Sequence, residues 1–268
     1  MIYPTRPKKS LGQNFLIDKN IINKITNIIG FKKNKNFLEI GPGYGALTEK
    51  IANLKPKKLY AIEKDKKIAE ILKKKFNNFK NIEIVNDDIL NIINEKKLEK
   101  DFIIFGNLPY NISIKVLTSL IMFKNWPPLY NRLIFMFQKE VAERITAKKN
   151  TKSFGRLSVL CNWRLEIKKE FNISKNCFHP VPKVDSTILS FTPKKNISYK
   201  IKNPKYLETV TRILFSNRRK MINKNFRKLF TNSFVVADHL GLDLNKRPGE
   251  LSNEMFYKIS LKYEKLFN

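Results

Sequence analysis

The sequence predicts an α/β fold with a Rossmann-like, doubly wound sheet, followed by a small all-helical domain. Three observations predict it. Short apolar runs alternate with segments of helical periodicity through most of the chain, a glycine-rich turn ends the first long strand, and the strand signal stops after residue 193.

The elements follow in order. Residues 1–17 form a basic, irregular arm. A helix is expected from Asp18 to Ile29, with Ile21, Ile22, Ile25, Ile28 and Ile29 on one face and Gly30 as its stop. Strands are expected at 37–41, 58–63, 82–86, 101–107 and 132–137, with helices at 45–54, 65–76, 113–124 and 138–148. Runs such as Phe102-Ile103-Ile104-Phe105 imply burial on both faces, so the sheet should be parallel and covered by helices on both sides. The polar stretch 194–205, containing Pro204, reads as a linker, and residues 206–268 show helical periodicity alone. The expected division is a domain of residues 1–196 and a helical domain of residues 197–268.

Composition narrows the function classes. Lys and Arg total 53 against 23 acids, a net charge of +30, which calls for a polyanionic partner. Lysine is abundant everywhere, so the informative signal is where basic residues cluster. No apolar run approaches the ~20 residues of a membrane span, and no basic amphipathic anchor is evident. Cys161 and Cys177 have no metal-type spacing, and His179 and His239 are the only histidines. A zinc site or a histidine-based triad is therefore not expected, and no metal is assigned. The first residues lack the apolar core of a secretory signal, so a cytoplasmic protein is expected.

Gly41, Gly43 and Gly45 sit where the first long strand turns into a helix, a geometry that lets a ligand approach the backbone. Glu63 ends the next strand, where a carboxylate can accept the hydrogens of a ribose diol. The spacing suits a nucleoside cofactor and also satisfies the NAD fingerprint. Glu39 favours S-adenosylmethionine, because a carboxylate there suits an ammonium and a sulfonium and would oppose a pyrophosphate. Asp88 can accept a hydrogen bond from an adenine amine. Asp87 and Asp88 equally fit a helix cap at Ile89, and Glu39 an ordinary strand-end charge.

The fourth strand ends in Asn107-Leu108-Pro109-Tyr110, where open α/β sheets place their ligands. The exocyclic nitrogen of adenine is a poor nucleophile because its lone pair is conjugated with the ring. The Asn107 side-chain oxygen and the Leu108 carbonyl can each accept one of its N–H groups and aim the lone pair at a methyl donor. Pro109 stiffens the turn, and Tyr110 can stack on the base. Displacement at an activated methyl needs positioning more than a strong base, which suits a chain with two histidines.

Seven blocks in one order carry a resemblance along nearly the whole chain: 8–16, 38–48, 105–113, 138–147, 154–160, 178–186 and 217–222. The sequence resembles the KsgA-type small-subunit ribosomal RNA adenine N6,N6-dimethyltransferases. The resemblance implies a class I S-adenosylmethionine-dependent methyltransferase fold. The implied substrate is two adjacent adenines in the 3′-terminal hairpin loop of 16S rRNA. The implied setting is small-subunit biogenesis, with the immature subunit as partner; the sequence leaves the oligomeric state open, and a monomer is expected. It implies that Gln13, Asn14 and Leu16 help close the cofactor site and that Lys64 and Ile89 join Glu39, Gly41, Gly43, Glu63, Asp88 and Asn107 there. It also implies that Phe178 sandwiches the target base or shapes its pocket. Four residues depart from the family's usual pattern: Tyr44, Lys64, Asn217 and Met221.

RNA contacts are expected from Arg6, Lys8 and Lys9 in the arm. A second cluster is expected on a C-terminal helix bearing Lys220, Lys224, Arg227 and Lys228 opposite Ile222, Phe226, Leu229 and Phe230. Arg218 and Arg219 join that cluster through the last resembling block. The rival readings are an Erm-type 23S rRNA adenine methyltransferase, a non-catalytic ribosome-assembly factor and an NAD oxidoreductase. Against the last, the chain offers no obvious acid or base for hydride transfer.

Overall fold

The computed structural model describes residues 7–8, 11–30, 35–94 and 101–267. In chain order they form β1 (Phe15–Leu16), α1 (Lys19–Ile29), β2 (Asn36–Ile40), α2 (Ala46–Asn53), β3 (Lys58–Ile62), α3 (Lys66–Lys75), β4 (Ile82–Val85) and α4 (Ile89–Asn94). Then come β5 (Phe102–Gly106), α5 (Tyr110–Ile121), β6 (Tyr130–Gln138), α6 (Lys139–Thr146), α7 (Arg156–Arg164), β7 (Leu165–Ile173), β8 (Phe178–His179) and β9 (Ser186–Pro193). The last helices are α8 (Pro204–Leu214), α9 (Asn223–Arg227), α10 (Ser233–Leu240) and α11 (Asn253–Glu264).

Local chemistry sets the boundaries. Asp18 caps α1 by accepting the Ile21 amide at 2.9 Å, and Gly30 ends it at φ 68°. Ile22, Ile25 and Ile29 form its buried stripe. Pro204, expected within a linker, instead opens α8 behind the Asn203 cap, since proline's fixed φ and missing N–H cost nothing at a helix start.

Seven strands form one sheet in the order β4-β3-β2-β5-β6-β9-β7. The pairs β3–β4, β2–β3, β2–β5 and β5–β6 are parallel, while β6 and β9 are antiparallel. The expected all-parallel sheet is thus corrected to a mixed one. The added strands come from 165–193, a region whose strand signal is weak. The edge strand β7 carries exposed Lys168 and Lys169 in mid-strand, which breaks the apolar pattern. The central strands are as dry as their composition implies. Leu38, Leu59, Phe105 and Phe135 are fully buried, each side chain contributing roughly 1.5–3 kcal/mol.

The chain divides into two compact units. One holds the chain up to Leu120, Pro128–Ala142 and Lys168–Pro193; the other holds Ile121–Pro127, Glu143–Ile167 and Lys194–Asn268. A break at 196 misses the two earlier segments of the second unit. Phe154, Leu207, Leu214, Phe226 and Phe256 build that unit's core. Its buried Arg164 donates to the carbonyls of Ile121 at 2.9 Å and Phe123 at 2.6 Å and stacks on Trp163, 3.9 Å from the ring centre. Among the described residues, no helix is long and apolar enough to cross a membrane and no three-residue metal cluster occurs.

Candidate active site

From the pair β2 and β5 the sheet grows in opposite directions, so a crevice opens at their carboxyl ends. The glycine turn follows β2 and the Asn107–Tyr110 loop follows β5. A Cβ on Gly41 would lie 3.7 Å from Pro109 Cδ, which puts the two loops in contact. Sequence reading gave no role to Gly106, which makes this possible. A Cβ there would stand 2.3 Å from the Ile40 carbonyl oxygen, so only glycine lets β5 run past the end of β2. Gly43, at φ 57°, likewise leaves room for Phe15, which a Cβ would meet at 2.8 Å. Tyr44 packs on that same ring at 4.7 Å.

A cleft of about 690 Å³ fills the crevice, and every cofactor residue expected from the sequence lines it. Glu39 lies on its floor, 1% exposed, accepting a hydrogen bond from Thr48 Oγ1 at 2.6 Å. Burial drives its carboxyl up to about 8; the Thr48 bond opposes this and the charge of Glu63 adds to it. Glu63 accepts the amides of Gly43 at 3.2 Å and Asp65 at 2.9 Å, and burial outweighs these bonds to raise its carboxyl as well. Two buried carboxyls favour a ligand that brings positive charge and disfavour a pyrophosphate. The site therefore fits S-adenosylmethionine better than a dinucleotide.

At the opposite wall Asp88 accepts the Leu90 amide at 2.9 Å and the Lys64 ammonium at 2.8 Å. Burial would raise the Asp88 carboxyl, but Lys64 and the amide outweigh it and hold it below the usual range. Lys64 thus presents an ion pair at the cleft as well as an aliphatic stem. Ile89, 4% exposed, lines the wall beside it.

Asn107 Nδ2 donates to the Asn14 carbonyl at 2.8 Å. That bond fixes the amide orientation and leaves Oδ1 as the acceptor, the role the chemistry asks of it. Asn14 belongs to the arm, whose attachment is specific. Lys8 Nζ lies 2.8 Å from Asp65 Oδ2, Gln13 Nε2 donates to the same oxygen at 3.3 Å, and Gln13 Oε1 accepts the Lys8 amide at 2.7 Å. Burial pushes the Asp65 carboxyl up, but Lys8 and Gln13 overcome it and hold it low. Asp65, which also caps α3 through the Lys67 amide, is a site residue that sequence reading missed; its local signal is only that of a cap.

Leu108, Pro109 and Tyr110 line the cleft, and the Tyr110 hydroxyl lies 2.6 Å from Ser186 Oγ. Phe178 does not line it. Paired with Leu16 across β1 and β8, its ring is 1% exposed in the core with Ile22, Ile25 and Ile188, because an apolar ring on the inner side of a strand pair buries itself. Lys8 pairs with Asp65 while its side chain stays exposed, and Arg6 and Lys9 lie outside the described residues. The expected basic helix is shorter than its periodicity suggests. α9 spans Asn223–Arg227, with Arg218, Arg219 and Lys220 in the turn before it and Lys228 just after. The two faces still separate, since Lys220, Lys224, Arg227 and Lys228 are exposed while Ile222, Phe226, Leu229 and Phe230 are buried. Arg218 is partly used internally, donating to the Lys152 carbonyl at 2.9 Å and to that of Phe154.

The model of the family described as ribosomal RNA adenine dimethylase matches residues 5–265. The ribosomal RNA small subunit methyltransferase A of Pelagibacter ubique is 47% identical over 97% of this chain and 98% of its own. The protein of the same name from a Wolbachia of Drosophila simulans is 38% identical over 98% and 95%. Among solved structures, a dimethyladenosine transferase from Plasmodium falciparum superposes with a TM-score of 0.79 at 27% identity, over 93% of this chain and 97% of that one. The 23S rRNA methyltransferase ErmE has a TM-score of 0.67 at 22% identity, over 92% and 98%, a likeness of fold.

Proposed function

The chain belongs to the ribosomal RNA adenine dimethylase family, and from that premise we propose which adenines it modifies and how. It is an S-adenosylmethionine-dependent rRNA adenine dimethyltransferase. Its proposed substrate is the pair of adjacent adenines in the hairpin loop near the 3′ end of small-subunit rRNA, each taken to the N6,N6-dimethyl form. The working substrate is an immature small subunit, met in the cytoplasm by a monomeric enzyme during subunit biogenesis. The names and near-complete coverage of the relatives support the small-subunit assignment.

The cofactor, when bound, supplies a methyl group activated by the sulfonium charge. Glu39 would hold its cationic end, Glu63 the ribose and Asp88 the adenine amine. The target base leaves its stack, at a cost reduced in a hairpin loop. Asn107 Oδ1 and the Leu108 carbonyl then accept the two N–H groups of its amine, turning the lone pair toward the methyl. Tyr110 stacks on the ring, steadied by Ser186. Lys220, Lys224, Arg227 and Lys228 supply phosphate contacts, which give affinity rather than sequence choice.

The observation that carries this reading is the fixed Asn107 amide, with its acceptor oxygen left for the base and its loop against the glycine turn. The test uses small and large subunits from cells lacking the gene, each incubated with the purified protein and isotope-labelled cofactor. Mass spectrometry of nuclease fragments should find dimethyladenosine at two neighbouring positions near the 3′ end. Label on large-subunit rRNA instead would overturn the assignment.

A further inference from the structure

The helical unit leaves an aromatic side chain outside its core. α10 begins with Ser233 buried and with Phe234 and Val235 turned outward, 66% and 57% exposed. Folding makes no use of the Phe234 ring, yet it has a cationic neighbour. The Arg227 guanidinium lies 5.3 Å from the ring centre. Lys224, one turn earlier on α9, and Lys228, the next residue, are also exposed. Against these cations α10 brings one carboxylate, Asp238.

We propose that Phe234 and Arg227 form a stacking platform for an unpaired base of the substrate rRNA, separate from the target adenine. The proposal rests on the reading that rRNA is the substrate. An exposed planar ring supplies a π-face for a base, the guanidinium lies over that ring, and the adjacent lysines meet the phosphates on either side. A membrane would call for a longer apolar face than the eight-residue α10 offers, since Asp238 and His239 interrupt it. A protein partner would find Arg227 over the ring, with exposed Lys224 and Lys228 beside Arg227 in sequence, which favours a polyanion.

The experiment measures binding of wild type, Phe234→Ala, Phe234→Trp and Arg227→Ala to unmethylated small subunits and to a transcript of the 3′-terminal rRNA hairpin, at several salt concentrations. Phe234→Ala should weaken binding about ten-fold while keeping the salt slope. Its cost in methyl transfer should fall on KM. Phe234→Trp should bind at least as well as wild type, and its added fluorescence should be quenched by RNA. Arg227→Ala should weaken binding and reduce the salt slope by about one. A Phe234→Ala protein that binds like a methylating wild type overturns the platform alone. So does one whose only change, in the analytical ultracentrifuge, is loss of self-association, which would make the patch a contact between copies. A wild type that binds no small-subunit RNA overturns both the platform and the substrate reading beneath it.

Discussion

Replacing Glu39 with Gln should stabilise the protein while disabling it. The carboxyl is buried on the cleft floor and burial raises it from 4.5 to about 8. A raised folded value means the folded state prefers the protonated form. The penalty is therefore absent below about pH 4.5, grows as pH rises toward 8 and is constant above that. At about 1.4 kcal/mol per unit, it reaches on the order of 3–5 kcal/mol at pH 8. Glutamine keeps the shape and can still accept from Thr48, but it buries an amide that needs its own partner, so about 1–3 kcal/mol should be recovered. Urea unfolding of the cofactor-free proteins should show that gain at pH 8 and its reversal near pH 4.5, where wild type carries no penalty and the variant still buries its amide. Cofactor binding should move the other way. In wild type the cation stabilises the ionised carboxylate, so binding expels a proton and the affinity rises up to ten-fold per pH unit between about 6 and 7.5. The variant should lose this slope and bind at least ~100-fold more weakly at pH 7.5, since a charge-assisted contact is gone. Equal stability at pH 8, or an intact pH slope of affinity in the variant, would refute the assignment of Glu39 to the cofactor's cationic end.

The other predictions concern position. Asn107→Ala should cut single-turnover methylation by ~100-fold or more even at saturating cofactor, because the acceptor for the amine is lost, while loss of the Asn14 bond should weaken cofactor binding only a few-fold. Asp65→Asn keeps a cap for α3 but weakens the hold on Lys8. It should loosen cofactor binding about five-fold and speed amide exchange at residues 11–14, and unchanged exchange would detach the arm from this mechanism. Gly106→Ala forces the β2 and β5 ends apart, since its Cβ would meet Ile40 oxygen at 2.3 Å. It should cost about 1–3 kcal/mol in unfolding and far more in rate, as a ~1 Å displacement of the Asn107 loop costs on the order of 100-fold.

Sequence reading recovered what is written locally. The β2–α2 glycine turn, the β5 loop and Glu63 are each encoded in a few adjacent residues, and the structure places all of them on one cleft. What it missed depends on residues far apart in the chain. The Asp65–Lys8 pair spans 57 positions and the Asn107–Asn14 bond spans 93, and neither leaves a periodic signal. Phe178 was misplaced for a related reason. A motif says that a ring is present, while the pairing of β1 with β8 decides which way it faces. The strand β7 escaped because exposed lysines interrupt its apolar pattern, and a strand signal that ends at residue 193 does not reveal that β9 runs antiparallel to β6.

These long-range bonds bear on how the two halves of the reaction are coupled. Gln13 and Asn14 are neighbours in the arm. One is tied through Asp65 to the start of α3, and the other holds the Asn107 amide. The arm that walls the cofactor cleft therefore also sets the orientation of the acceptor for the target amine. An arm displaced from Asp65 would release both at once, because the Asn107 amide could then turn its Nδ2 toward the exocyclic amine, which presents only N–H groups. Two donors facing each other repel, so such a state binds the adenine amine poorly. On the proposed mechanism, base capture should therefore favour the arm-docked form, in which Gln13 and Asn14 also line the cofactor cleft.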